Sequence, residues 1–282
     1  MKGVVLVPAV RGPDWLAEVL PGLGPAELPL AGRRWIDYAV EWAEQAGYGM
    51  VEVLDWRFSE AVAADFADLT AHPIPVFYQR GEGELPGAVA DLARQSSPLA
   101  PGAAAGDAEV DVVWGLELAG FRIDSVAAWH RASLDLLAGT GFGGRRFTLP
   151  GYSAEAGVHL GRNVVTEPGF EAKKPVLVQD DAWCARNVRL DGSCIVGRGS
   201  FVGEGTRLER TVVADRTYVG TDLELVDKIV VGHRVIDAAT GAWVDIGERG
   251  VARSLGRSPA LPRWLAAAAD FLRGRANRGR RP

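Results

Sequence analysis

Cysteine, histidine and, over most of the chain, lysine are scarce in this sequence of 282 residues. The only two cysteines, Cys184 and Cys194, fall where the local pattern places apolar residues, so neither a disulfide nor a thiolate metal site is indicated. No apolar run is long enough to cross a bilayer, and the one near the start is too short for a signal peptide. These absences predict a cytoplasmic protein.

A period of six residues is the strongest pattern that is present. It runs from Leu160 to Val212 and resumes one residue early at Val213. The first and fifth positions of each unit are apolar or small. The predicted inward first positions are Leu160, Thr166, Ala172, Val178, Cys184, Leu190, Val196, Val202, Leu208, Val213, Val219, Leu225 and Val231, and the fifth positions include Val212, Thr217, Leu223, Ile229 and Val235.

Three such units can return the chain to its starting point and stack a new coil on the previous one, which predicts an all-β parallel β-helix over about residues 155–247. Glycine recurs at the second position, and we expect it to supply turns with positive φ, at Gly161, Gly197, Gly203, Gly220 and Gly232. The repeat resembles the left-handed β-helix of the hexapeptide-repeat family, and the left hand is implied by that resemblance alone.

The first half reads as alternating strands and helices and predicts a Rossmann-like, doubly wound parallel α/β sheet. We expect its site at the carboxyl ends of the strands. The predicted elements are strand 3–9, a loop over 11–32, helix 35–46, strand 50–54, helix 59–69, strand 74–78, helix 86–94 and strand 110–114.

Three segments of this half, in the same order along the chain, resemble the sugar-phosphate nucleotidyltransferases. They are Pro25 to Gly47, Leu85 to Ala93 and Phe121 to Gly139. The resemblance implies a nucleotidyltransferase-like domain over residues 1–140 that converts an NTP and a sugar 1-phosphate into an NDP-sugar and pyrophosphate with Mg²⁺. The implied nucleotide-binding residues are Arg11, Gly12, Gln79 and Gly87; Asp124 is the implied metal ligand, and Arg11 and Asp124 are the candidate catalytic residues.

The catalytic motifs of that family are incomplete in this chain. The expected glycine-rich loop has one glycine, Gly12, and the expected lysine is replaced by Ala26 or Glu27. No lysine occurs between residues 2 and 173. Leu116 stands where an acidic metal ligand is expected, and the join that follows is too short for a sugar-binding half. Because phosphoryl chemistry depends on cancelling negative charge, these losses predict a catalytically degenerate scaffold or regulator in nucleotide-sugar or cell-surface polysaccharide metabolism.

Two enzymatic alternatives remain open. Arg33, Arg34 and Arg80 could replace the lysine in an active nucleotidyltransferase, in which case Mg²⁺ is the expected cofactor. A hexapeptide-repeat acyltransferase would need a histidine as general base, and His159 and His233 are the candidates in or beside the repeat. Asp124 could instead be the N-cap of the helix that follows it.

The last 30 residues are strongly basic. Residues 253–282 carry a net charge of +7, whereas residues 1–252 carry −12. Apolar residues between Leu261 and Leu272 recur at helical spacing, which favours an amphipathic helix that lies on an anionic membrane surface or packs on the protein. The acidic body argues against nucleic acid. We expect a homo-oligomer formed through the β-helix, polysaccharide-biosynthesis enzymes as partners, and a location at the inner face of the membrane.

Overall fold

The computed structural model describes residues 2–8, 14–55, 59–66, 72–80 and 110–255. Arg11, Gly12, Gly87, the predicted helix over 86–94 and the basic tail beyond residue 255 lie outside the described residues. None of the helices in the described ranges is long and apolar enough to span a membrane.

The first part of the chain is built on a four-stranded parallel sheet. Its helices are α1 (Asp14–Val19), α2 (Trp35–Gln45), α3 (Glu60–Phe66) and α4 (Val126–Ala138), with short 3₁₀ turns at Pro25–Glu27 and Phe142–Gly144. Its strands are β1 (Gly3–Val7), β2 (Pro29–Leu30), β3 (Arg33–Arg34), β4 (Met50–Asp55), β5 (Val76–Arg80), β6 (Val110–Trp114), β7 (Glu117–Leu118) and β8 (Phe121–Arg122).

The order β5-β4-β1-β6, with all neighbours parallel, confirms an α/β arrangement. The valine-rich β1 lies in the middle and is buried along its whole length, as expected for a parallel strand covered on both faces. Strand β5 begins two residues later than predicted, because Pro75 has no N–H to donate to the sheet. The predicted loop over 11–32 was wrong in part: it contains α1, whose Leu16 and Val19 are buried three residues apart.

The second part consists of three sheets that share one interior; the strands of the repeat pair in parallel, and strands at the ends of two sheets pair antiparallel. The strands are β9 (Tyr152–Glu155), β10 (Val158–Leu160), β11 (Val165–Thr166), β12 (Glu171–Lys173), β13 (Val176–Val178), β14 (Trp183–Cys184), β15 (Arg189–Asp191), β16 (Cys194–Val196), β17 (Phe201–Val202), β18 (Arg207–Glu209), β19 (Val212–Val213), β20 (Thr217–Val219), β21 (Glu224–Val226), β22 (Lys228–Val231), β23 (Arg234–Asp237), β24 (Trp243–Asp245) and β25 (Ala252–Ser254).

Every third strand of the repeat pairs in parallel, which is the arrangement of a β-helix. Val176 pairs with Val158 below it and with Cys194 above it. The three sheets contain the orders β10-β13-β16-β19-β22, β11-β14-β17-β20 and β12-β15-β18-β21. Cys184 and Cys194 are fully buried in the interior, which confirms that they are core residues.

The predicted phase fails at the end of the repeat. Val213 pairs with Val230, so the chain drops a second residue there, and Val230 rather than Val231 enters the interior. Val212 and Ile229, predicted to point inward, belong instead to the core of the α/β part. A five-residue unit thus replaces a six-residue unit twice, once before Val213 and once before Val230. The second shortened unit was not predicted, because apolar residues lie on both faces of the strand there.

The role predicted for the second-position glycines was wrong for four of the five. Gly161, Gly197, Gly203 and Gly220 lack a positive φ; a Cβ on Gly197 would instead lie 2.5 Å from the backbone nitrogen of Asp215 in the next coil. The tight stacking of the corners therefore requires glycine. Positive φ occurs two residues later, for example at Asn163, and asparagine tolerates that conformation.

One outer face of the β-helix forms a common core with the α/β part. Leu177, Ile195, Val212 and Ile229 point outward from the sheet that contains β13 and β16, and they are buried in the same cluster as Trp129 of α4. The Trp129 indole N–H also donates to the carbonyl oxygen of Pro29 at 2.7 Å. Helix α4 is thus held between the two parts of the chain.

Candidate functional site

A connected group of polar side chains lies at the carboxyl edge of the parallel sheet. Strand β4 ends at Asp55, whose Oδ2 accepts a hydrogen bond from the Tyr78 hydroxyl of β5 at 2.8 Å. The backbone N–H of Ser59 donates to the Tyr78 oxygen at 3.1 Å, and the Ser59 hydroxyl donates to Glu27 Oε1 at 2.9 Å. This network occupies the edge where parallel α/β sheets place their sites.

The network is built around a carboxylate with almost no access to solvent. Asp55 is only 1% exposed, and its hydrogen bond to Tyr78 offsets part of the cost of burying it. Burial, together with the hydrogen bond to Asp55, raises the pKa of Tyr78. The phenol therefore stays protonated and acts as a donor to Asp55.

Glu27 gives this edge a negative charge at the position where the family resemblance expects a lysine. Its second oxygen accepts a hydrogen bond from the backbone N–H of Gly24 at 3.2 Å, which fixes the carboxylate at the start of the 3₁₀ turn. Ala26, the other residue aligned with the lysine, is fully buried and contributes no charge. A polyphosphate would meet repulsion here from Glu27 and Asp55.

Two arginines that could replace the lysine are engaged in ion pairs. Arg34 binds Asp37 at 2.8 Å and Asp65 at 2.7 Å. Arg33 binds the carboxylate of Glu41 and donates to the carbonyl oxygen of Thr148 at 2.8 Å. Recruiting either side chain to a phosphate would break these contacts.

The described candidate residues do not converge on this cluster. Gln79 is an exposed residue of β5, and its amide donates to Glu52 Oε1 at 3.0 Å. Asp124 is exposed beside the start of α4. The alternative role of Asp124 as N-cap was wrong, because the side chain of Ser125 accepts the N–H of Ala128 at 3.2 Å.

The residues around Asp124 do not fit a magnesium site. Leu116, which stands where the second acidic ligand is expected, is 4% exposed and packs in the core. Within the described ranges no group of three or more His, Cys, Asp or Glu side chains could hold a metal ion. A single exposed carboxylate provides too few oxygen ligands for Mg²⁺.

The two histidines considered for acyl transfer lie at opposite ends of the β-helix. His159 is on β10, in the first coil, beside Leu177. His233 follows β22 in the last coil; its Nε2 lies 3.7 Å from Asp245 Oδ1, and Arg234 already binds that oxygen at 2.7 Å. The side chain of His233 is 60% exposed, so the described residues around it do not enclose a substrate.

Sequence reasoning missed Asp55, Ser59 and Tyr78 as members of the cluster. One signal was available: Asp55 directly follows the predicted strand over 50–54. Tyr78 was placed correctly within a strand, but nothing in the sequence indicates that its hydroxyl reaches the neighbouring strand.

The parallel α/β sheet and the sequence likeness together support the nucleotidyltransferases as the general class that this chain resembles. A UTP–glucose-1-phosphate uridylyltransferase from Synechocystis sp. (strain ATCC 27184 / PCC 6803 / Kazusa) is 27% identical over 99 residues, which are 35% of this chain and 25% of that protein. The matched part thus spans about a quarter of that relative's length. No family model matches the chain.

Among solved structures, the acetyltransferase domain of PglB from Neisseria gonorrhoeae FA1090, in complex with acetyl coenzyme A, is 15% identical. The match covers 82% of this chain and 96% of that one, with a TM-score of 0.17. A TM-score this low supports no inference about fold or function.

Proposed function

We propose that this chain is a nucleotidyltransferase-like protein of nucleotide-sugar or cell-surface polysaccharide metabolism that has lost nucleotidyl transfer and acts as a scaffold or regulator. The proposal includes a doubly wound domain at 1–140, a left-handed β-helix at 155–247 and a cytoplasmic location. The observation that carries it is Glu27, an anion at the carboxyl edge of the sheet where the resemblance expects a cation.

The sign of that charge matters because a triphosphate binds through cations and N–H donors. Two unit charges about 4 Å apart near a protein surface interact by about 4 kcal/mol. A lysine at this position would attract a phosphate with an energy of that order, whereas Glu27 repels it. Asp55 adds a second carboxylate to the same network.

Calorimetric titration with UTP and UDP-glucose, with and without Mg²⁺, tests the proposal together with an assay for pyrophosphate release. We expect no Mg²⁺-dependent UTP binding and no pyrophosphate. Tight Mg²⁺-dependent binding with pyrophosphate release would establish the active nucleotidyltransferase instead. Binding of acetyl coenzyme A, followed by transfer of the acetyl group, would favour the acyltransferase.

A charge reversal at the carboxyl edge sharpens the test. Glu27→Lys should raise the affinity for UTP at least about tenfold, which corresponds to 1.4 kcal/mol. Glu248→Lys is the matched control. Glu248 is exposed in the last loop of the described chain, and its substitution makes the same change in net charge. An equal effect of both variants would show that net charge alone controls UTP binding, and that the position of Glu27 has no effect of its own.

We further propose that copies of the chain associate through the β-helix. Support comes from a row of aromatic side chains on one outer face, where Trp183, Phe201 and Tyr218 follow one another with ring centroids 6.2 and 5.3 Å apart. Light scattering of the native protein and of Phe201→Glu would test this association.

The basic tail is proposed to bind anionic membranes. Equal sedimentation of full-length and 1–252 protein with anionic vesicles would contradict membrane binding by the tail.

A further inference from the structure

A cavity lies away from the carboxyl edge, against the first corner of the β-helix. Its volume is about 430 Å³. Its walls come from the segment that enters the β-helix and from three successive corner turns. The lining residues include Tyr152, Arg162, Leu177, Gln179, Asp180 and Arg198.

Gln179 is the most unusual of these residues. It is 8% exposed, and its side-chain amide has no hydrogen-bond partner in the described part of the chain. The amide atoms themselves keep some contact with solvent: among the described residues, the buried side-chain atoms without a hydrogen-bond partner are the indole nitrogens of Trp15 and Trp35. The amide lies beside Gly32: a Cβ built there would be 3.2 Å from Nε2. Since Gln179 also lines the cavity, its amide is free to bind water or a ligand there.

The corner turns supply charge at the same place. Arg162 is neutralised by Asp180, with Nη2–Oδ2 and Nε–Oδ2 distances of 2.8 and 3.2 Å. The backbone N–H of Arg198 donates to Asp215 Oδ1 at 2.9 Å, but the Arg198 guanidinium donates to no side chain of the described residues. Asp180 and Asp215 both attract the Arg198 guanidinium electrostatically. The cavity therefore combines a matched ion pair with one arginine whose guanidinium donors are not engaged by a described side chain.

The remaining walls are apolar. Leu177 is fully buried, Pro150 closes one side, and the ring of Tyr152 is 58% exposed at the mouth. A ligand that fits must therefore offer an anion to Arg198, a polar group to Gln179 and a less polar body to Tyr152 and Pro150. Inorganic anions lack the third feature, and neutral apolar molecules lack the first.

We propose that this cavity binds a small phosphate ester, with the phosphate on Arg198 and the hydroxyl or carbonyl groups of the ester on the Gln179 amide. The guanidinium fork matches phosphate oxygens, and the amide can both donate and accept. Because Gln179 touches the Gly32 turn of the α/β part, the bound ester would contact the junction between the two parts of the chain.

Titration of the intact protein with inorganic phosphate, glucose 1-phosphate and UMP tests the proposal. We expect at least one ester to bind at least about tenfold more tightly than inorganic phosphate, and the preferred ester distinguishes a sugar phosphate from a nucleotide. Arg198→Gln should weaken that binding about tenfold or more. Arg189→Gln is the control, because Arg189 is 59% exposed on another sheet and faces Glu171.

Gln179→Leu separates binding from a structural role. It removes an amide that bonds to no other described residue, so the unliganded variant should melt at about the same temperature as the native protein, while the increase in melting temperature on adding the ester disappears. A less stable variant that still binds the ester would overturn the proposal, as would esters that bind no better than phosphate. The proposed function fails if the native protein releases pyrophosphate, whereas this site fails if Arg198→Gln leaves ester binding unchanged, so the two can fail separately.

Discussion

His130 of α4 and Arg210 of the β-helix are joined by a hydrogen bond of 2.7 Å between the His130 Nε2 and the Arg210 carbonyl oxygen. A carbonyl oxygen can only accept, so Nε2 carries the proton. His130 is 8% exposed, and burial, with the charge of Arg210, lowers its pKa, against the opposing effects of the hydrogen bond and of Asp227. The lowered pKa favours the neutral imidazole, with its proton on Nε2.

The depressed pKa of His130 predicts that stability falls in acid. Below the unfolded pKa of about 6.5 the unfolded chain binds a proton that the folded protein does not bind, so the free energy of unfolding decreases as pH falls from there towards the folded pKa. The slope from one such group is at most about 1.4 kcal/mol per pH unit. His130→Gln, which keeps a donor for Arg210, should flatten this dependence.

Urea unfolding at a series of pH values measures that slope. His233→Gln is the control, because that side chain is 60% exposed and should leave the slope unchanged. Equal slopes in the native protein and in His130→Gln would contradict the prediction.

Gly197→Ala should strongly destabilise the β-helix, by about 3 kcal/mol or more, because the new Cβ would lie 2.5 Å from the Asp215 nitrogen and neither backbone can move away. Gly192→Ala tests conformational cost alone, since Gly192 has a φ of +62° with open space around it, and should cost about 1 kcal/mol. Gly247→Ala meets neither problem and should change stability by less than about 0.5 kcal/mol. Chemical denaturation would rank the three; a different order would be evidence against close stacking of the coils.

The cysteines should be inert in the native protein. Burial raises the pKa of Cys184 to about 12 and that of Cys194 to about 11, so neither forms appreciable thiolate near neutral pH. An aromatic disulfide reagent should therefore react with no thiol of the folded protein and with both after denaturation. Rapid reaction of one thiol under native conditions would show that a coil opens readily.

The β-helix could be predicted from the sequence because its pattern repeats: an inward apolar residue recurs every six positions from Val178 to Leu208. Its end could not be placed, because Ile229 and Val230 are both apolar and both buried, one in each core. The role of Gly197 was also hidden, because contact with the next coil depends on how closely the coils stack. Local sequence does not encode that distance.

The candidate site was less predictable than the fold. A resemblance located the segment that contains Glu27, but the contacts of Glu27 with Ser59, and of Tyr78 with Asp55, join residues far apart in the chain. Gln179 resembles any other polar residue in the repeat. Its position beside Gly32, in the wall of the cavity, depends on contact between two distant parts of the chain.

The common core beneath α4 determines how the protein comes apart. Since Ile195 and Trp129 belong to one buried cluster, neither half can melt without exposing apolar surface of the other. Calorimetry should then record a single heat-absorption peak, with equal calorimetric and van't Hoff enthalpies, in place of two separate events. The α/β part and the β-helix would thus unfold as one cooperative unit.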